Sequence, residues 1–184
     1  MNILIAYGSI EGQTHKIAKA CEERLAASGH SVELREAARE AGTIAMDAFD
    51  ACLIAAPVHQ QRHPDDVINF VLAHAAALEA TRCAFISVSL SAAFPEGREE
   101  AESYIQRFLD RTGLQPISTH TAAGAIRYRE YDFFQEQILR HVVLKNRAPD
   151  EISGDHEFTD WQALNDFVDA FAKAAEEQVA AMPG

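Results

Sequence analysis

The sequence predicts a doubly wound α/β fold: five parallel strands in the order 2-1-3-4-5, helices on both faces, and residues 1–184 as a single domain. Three observations predict it. Short apolar runs alternate with segments of helical periodicity, and a strand–helix–strand succession closes most simply as parallel strands joined by right-handed crossovers. Two runs, Ala51 to Ala56 and Cys83 to Ser89, are apolar with little alternation, as central strands covered on both faces must be. A chain of 184 residues also buries about 70% of its extended surface on folding, enough for one sizeable core.

Asn2 to Tyr7 reads as strand one. Thr14 to Ala27 follows as a helix, with Ile17, Ala18, Cys21 and Leu25 on one face and Gly29 as its C-terminal cap. Ser31 to Glu36 alternates apolar and polar residues, as in strand two. After strand three, Ala51 to Ala56, Pro64 opens a helix at a first-turn position where its missing N–H is harmless, with Val67, Phe70, Val71 and His74 turned inward. Strand four is Cys83 to Ser89, and a polar loop with Pro95 and Gly97 leads to a helix from about Glu99 to Thr112. Ile117 to Ala125 is strand five, and Tyr131 to Lys145 a further helix. Asn146 to Glu157, with Pro149, Gly154 and acidic residues, reads as an exposed loop. Thr159 or Asp160 caps a last helix whose apolar stripe is Trp161, Leu164, Phe167, Val168 and Phe171.

The balance of 16 basic and 28 acidic residues, net −12, argues against nucleic acid as a partner and against an electrostatic hold on anionic lipid. The three cysteines, Cys21, Cys52 and Cys83, fall within core elements and read as small buried hydrophobes in a reducing cytoplasm. The apolar start is too short, and lacks the basic flank, for a signal peptide. No segment approaches the ~20 apolar residues that span a bilayer. No metal is expected: His59 and His63 have no matched third ligand. Ser87 and Ser89 lack a base that would make either a nucleophile.

In a 2-1-3-4-5 sheet the winding reverses between strands one and three, and ligands sit at the carboxyl ends of the strands there. Three loops converge on that point: Gly8 to Thr14, Pro57 to His63 and Ser89 to Glu96. The first joins a buried strand to a helix N-terminus, where N–H groups lack intrahelical partners and the helix dipole favours negative charge. Ser9 and Thr14 add hydroxyls, and Gly12 lets the backbone approach an anion closely. The alternative is an ordinary strand-to-helix turn with Thr14 as its cap. Glu11 reads as pointing outward, since a carboxylate beside a phosphate is unfavourable. The loop is neither a Walker A motif nor Gly-x-Gly-x-x-Gly. It resembles the phosphate loop of flavodoxins, which holds the 5′-phosphate of FMN without a cationic side chain. FMN is therefore the expected cofactor, held by Ser9-Ile10-Glu11-Gly12-Gln13-Thr14 and flanked at its ring by Pro57-Val58-His59-Gln60 and Ser89-Leu90-Ser91-Ala92. His59, Gln60 and Arg62 offer donors and acceptors to the ring edge, and Phe94 offers an apolar cover. No Tyr/Trp pair is placed to sandwich the ring, which suits the open face an enzyme requires.

Further segments narrow the resemblance. Gly12-Gln13-Thr14 after an acidic residue, Ser87-Val88-Ser89-Leu90 followed by Pro95 and Ser103-Tyr104, Ala123-Gly124-Ala125-Ile126-Arg127-Tyr128, and Phe158-Thr159-Asp160-Trp161 together resemble the menaquinone-dependent, oxygen-independent protoporphyrinogen dehydrogenases, a branch of the flavodoxin superfamily. The resemblance covers nearly the whole chain, and the segments at 124–128 and 159–161 are its more specific parts. It implies an FMN enzyme of haem biosynthesis that oxidises a porphyrinogen-like substrate and passes electrons to a quinone or other redox acceptor. It also implies an extra loop near strand five. Arg127, Tyr128 and His59 are the candidate catalytic side chains, Arg127 and Tyr128 on the substrate side. Arg127 suits bidentate pairing with propionates or flavin oxygens, and equally a salt bridge at a strand end. Where the family carries an Arg-Tyr pair after strand three, this chain has His59-Gln60. The expected location is cytoplasmic, with peripheral contact at the inner face of the cell membrane and a homodimer left open. Two other readings stay open: a flavodoxin-type electron carrier or quinone reductase, and a flavin-less regulatory or binding domain.

Overall fold

A parallel strand with both faces covered must send apolar side chains to both, and β1 shows how. In the computed structural model, which describes residues 1–39, 44–126 and 156–180, β1 is Asn2–Tyr7. Its Ile3 and Ile5 pack on one face of the sheet, while Leu4 and Ala6 pack on the other. β2 is Ser31–Glu36, β3 Ala51–Pro57, β4 Arg82–Ser89 and β5 Ser118–Ala123. They form one parallel sheet in the order β2-β1-β3-β4-β5, as the sequence pattern predicts.

Helix α1, Gln13–Ala27, and helix α5, Trp161–Ala180, cover the face carrying Ile3, Leu53 and Ile86. Ile17, Leu25, Leu164, Val168 and Phe171 are their buried contributions, and an Arg24–Asp169 ion pair runs between the two helices. Helices α2, Asp65–Ala73, α3, Ala75–Ala80, and α4, Arg98–Thr112, lie over Leu4, Ile54 and Phe85. There Phe85 and Phe108 stack at 4.2 Å, joining sheet to helix. The three cysteines are buried, as expected. Burial pushes the Cys21 thiol up to about 12, and Cys52 is raised by its contact with Cys83 and by burial, so neither forms a thiolate readily.

Several boundaries differ from the sequence reading for physical reasons. Pro64 sits just before α2, with the extended backbone of a cap residue rather than in the first turn. The fifth strand stops at Ala123. Gly124 donates to the Ser89 carbonyl at 3.1 Å, and the chain then forms a short β6, Ala125–Ile126, antiparallel to β7, His156–Glu157. His156 and Glu157 are thus strand rather than loop. Asp160 is the cap of α5, its carboxylate accepting the Ala163 N–H at 3.0 Å. The helix expected at Tyr131 to Lys145 lies outside the described residues.

Gly97 fixes how α4 enters. A Cβ there would lie 2.2 Å from the Ser91 carbonyl oxygen, backbone that cannot rotate aside. Gly97→Ala is expected to destabilise the fold by about 1–3 kcal/mol, read by urea unfolding. An unchanged midpoint would show that the Ser91 turn gives way freely.

Candidate functional site

The ladders of the sheet continue past its strands into the loops. Gly8 donates to Ala55 at 3.0 Å, Val58 to Val88 at 2.7 Å and Gly124 to Ser89 at 3.1 Å. The exits of β1, β3, β4 and β5 are thereby fixed around one open cleft. Nine of the candidate residues line it: Ile10, Glu11, Gln13, Thr14, Pro57, Val58, His59, Ser89 and Leu90. Val88, Gly124 and Ala125 complete the wall. None of these three is among the expected cofactor-binding residues, although Val88 stands in the Ser87-Val88-Ser89-Leu90 segment, and Gly124 and Ala125 in the 123–128 segment, that carry the resemblance. The other candidates stand around the cleft without lining it. Ser9 and Gly12 shape the first loop, Gln60 is exposed at a turn, and Ser91 directs its hydroxyl to Glu100 at 2.8 Å. Ala92 donates its N–H to Ser89 Oγ at 3.3 Å. Arg127 and Tyr128 lie outside the described residues.

The first loop brings the N-terminus of α1 to the cleft. Gly12 adopts φ 88°, a left-handed conformation that glycine enters at little cost, and α1 begins at Gln13, one residue earlier than the periodicity suggests. Thr14 is buried and does not cap the helix; Ser9 Oγ does, accepting the N–H groups of Gly12 at 3.1 Å and His15 at 3.4 Å. The first-turn N–H groups beyond that cap have no intrahelical acceptor and meet the positive end of the helix dipole. No lysine or arginine lines the cleft among the described residues. Glu11, expected to face outward, is half-buried and is part of the wall.

Gln13 adds a polar test of what fits. Thr159 Oγ1 donates to the Ala123 carbonyl at 2.7 Å, so it must accept from Gln13 Nε2, at 2.9 Å. The amide orientation is thereby set, and it leaves Gln13 Oε1 buried with no partner among the described residues. A buried acceptor without a donor costs about 1–3 kcal/mol. A ligand carrying hydroxyl groups next to its anionic end supplies that donor.

The second loop is a tight hairpin. Gln60 and Gln61 have φ of 50° and 62°, and His59 and Arg62 exchange backbone bonds of 2.9 and 3.2 Å around them. Left-handed backbone at two non-glycine residues is strained by roughly 1–2 kcal/mol each and must be held from outside. His63 supplies the hold. It is buried, donates from Nδ1 to the Pro57 carbonyl at 2.9 Å, and turns Nε2 to Ser87 Oγ at 3.4 Å. Its ring meets Phe85 and Phe108 edge-on. Burial lowers its pKa to about 4, against the bond to Pro57 and with a smaller push from the Arg107 charge, so the ring is neutral at pH 7. Ser87 does therefore have an imidazole beside it, which the sequence reading did not find. Ser87 is fully buried and His63 nearly so, and neither lines this cleft, so the pair positions the loop and does not act as nucleophile and base there.

A family model described as Flavodoxin domain matches residues 4–153. The chain belongs to the flavodoxin domain family. Among curated relatives, the protoporphyrinogen IX dehydrogenase (quinone) of Escherichia coli K12 is 25% identical over 178 residues, covering 96% of this chain and 98% of the relative. The protein of the same name from Leishmania major is 26% identical over 125 residues, 67% of this chain and 54% of its own length. Flavodoxin 2 of Bacillus cereus is a structural neighbour at TM-score 0.57 and 19% identity, covering 95% of this chain and 99% of its own. A short-chain flavodoxin associated with a bacterial microcompartment gives a TM-score of 0.58 at 12% identity, covering 95% and 99%. At those identities the two structures show that the flavodoxin fold is shared.

The neutral state of His63 has a definite pH signature. Between pH 6.5 and 4 the unfolded chain binds a proton at this residue and the folded chain does not, so stability falls as pH drops through that window. The group's share is about 3 kcal/mol by pH 4. Urea unfolding of His63→Asn is expected to show a pH dependence flatter by that amount. Parallel curves for parent and variant would place the titrating group elsewhere.

Proposed function

We propose that this protein is an FMN-dependent dehydrogenase that oxidises protoporphyrinogen IX and passes the electrons to a quinone. The observation that carries the reading is the end-to-end match to the Escherichia coli dehydrogenase, 98% of whose length is covered, on a chain whose anion cradle lies at the switch point of the sheet. FMN fits the cleft's chemistry: a phosphate for the N–H groups at the start of α1, ribityl hydroxyls for the orphaned Gln13 Oε1, and a flat ring between the two later loops. When bound, it would supply a two-electron acceptor for each of the three dehydrogenations that turn a porphyrinogen into a porphyrin, with reoxidation by the quinone after each.

The chain's own residues then bind and orient. Ser9 and Gly12 hold the first loop in shape, and the N–H groups of Gln13 and Thr14 offer the phosphate its donors. Pro57 and Val58 flank the ring, Ser89 and Leu90 stand at its edge, and His59 stands in the wall where a ring nitrogen can donate or accept. Arg127 and Tyr128 are proposed on the substrate side. Among the described residues no helix is long and apolar enough to cross a membrane; the quinone is proposed to be met at a peripheral contact. The net charge of −12 favours a second reading, an electron carrier docking on basic reductases.

Anaerobic assay of FMN-loaded protein with protoporphyrinogen IX and menadione is expected to develop porphyrin fluorescence, with NAD(P)H a poor donor. A fully flavinylated protein giving no fluorescence, with a very low one-electron couple on redox titration, would establish the carrier instead. Ser9→Ala removes the cap of the cradle, and its FMN dissociation constant is expected to rise about fivefold, as the loss of roughly 1 kcal/mol implies. Unchanged FMN affinity would show that the loop keeps its shape without Ser9.

A further inference from the structure

Behind the 57–63 hairpin lies a second hollow of about 500 Å³, between that loop and helices α2 and α4. Arg62, expected at the flavin ring edge, does not line the first cleft; it stands in this wall instead, with Arg107, Arg111, Tyr104 and Phe108. This is an unusual collection for a chain with 16 basic and 28 acidic residues. Gathering three guanidinium groups at one concavity is unfavourable unless acids answer them. Asp65 answers Arg111 at 2.9 Å, while Glu100 is engaged with the hydroxyls of Ser91 and Tyr104. Arg62 and Arg107 make no ion pair among the described residues. Arg107 is nonetheless held in place. It donates to the Ser103 carbonyl and hydroxyl at 3.2 Å each, and its guanidinium lies 4.8 Å from the centre of the Tyr104 ring. The backbone of Arg62 is pinned by its reciprocal bonds to His59.

We propose that this hollow is a carboxylate-binding site, in which Arg62 and Arg107 each take an acid group of a ligand whose flat apolar body lies across the hairpin. A guanidinium carries five N–H donors, so Arg107, with Nε and Nη2 bonded to Ser103, keeps Nη1 for a carboxylate, and two guanidinium groups without an acidic partner suit a dicarboxylate. The two clefts are one loop apart, because Pro57, in the wall of the first, accepts a 2.9 Å bond from His63, in the wall of the second. In the proposed arrangement the ligand meets the first cleft over Pro57 to His59 and extends past Gln60 and Gln61 to Arg62 and Arg107. The identity of the ligand as a tetrapyrrole with two propionates rests on the proposed function; its carboxylate chemistry does not.

Protoporphyrin IX and its dimethyl ester, titrated by fluorescence into FMN-loaded protein, test the assignment. The free acid is expected to bind at least about tenfold tighter than the ester, and less tightly as salt is raised. The Arg62→Gln, Arg107→Gln double variant is expected to lose that preference while keeping its flavin absorbance. Equal affinity for acid and ester in the parent, no binding of the free acid, or an undiminished preference in the double variant would each overturn the site. Arginine-dependent binding of the free acid by a protein that does not oxidise protoporphyrinogen IX would overturn the proposed function and leave the site standing.

Discussion

The cleft depends on the pairing of β1 with β3. Strand order places these two strands side by side although β2 lies between them in sequence, and their helices depart to opposite faces. No helix can cover the seam at their carboxyl ends, so a crevice opens there by topology alone. What makes it a site is that the hydrogen-bond ladder does not stop with the strands. The Gly8–Ala55 and Val58–Val88 bonds carry sheet geometry one residue into each loop. The anion cradle and the hairpin therefore start from positions as fixed as the core itself, and Gly8 must be glycine-sized because Val67 leaves 2.5 Å where a Cβ would stand.

Around that seam two supports hold unfavourable local geometry. The hairpin keeps two left-handed glutamines because His63, dry and neutral, ties Pro57 to the core beside Phe85 and Phe108. The cradle is buttressed from the far end of the chain. Thr159 joins Gln13 to Ala123, and Lys16 pairs with Glu157 at 2.5 Å while lying 5.2 Å from the Trp161 ring. The Lys16 pair is exposed and contributes little to stability, whereas the Gln13–Thr159–Ala123 chain is buried and fixes which way an amide points.

Much of this is legible in the sequence because it is written in local periodicity. The apolar runs of β3 and β4, the α1 stripe from Ile17 to Leu25, and the break at Gly8 to Thr14 each announce themselves within a few residues. Boundaries slip where a side chain reaches out of its own segment. Ser9 caps α1 in place of Thr14, and β5 ends early because Gly124 is claimed by Ser89 on one side and by Phe158 on the other. His63 reads as one more polar residue of a loop, since nothing nearby reveals the phenylalanines that bury it. The arginine hollow is harder still: Arg62 and Arg107 belong to different elements, and only the packing of α2 against α4 brings them to one concavity.

The Gln13–Thr159 bond links residues 146 positions apart, across almost the whole chain. A ribosome releases the first loop well before its buttress. Until Thr159 has emerged and α5 has docked, the Gln13 amide has neither a fixed direction nor a dry environment, and the loop is only an ordinary turn at the head of a helix. A flavin held by this loop, as the proposed function requires, would meet its finished site only once α5 has docked.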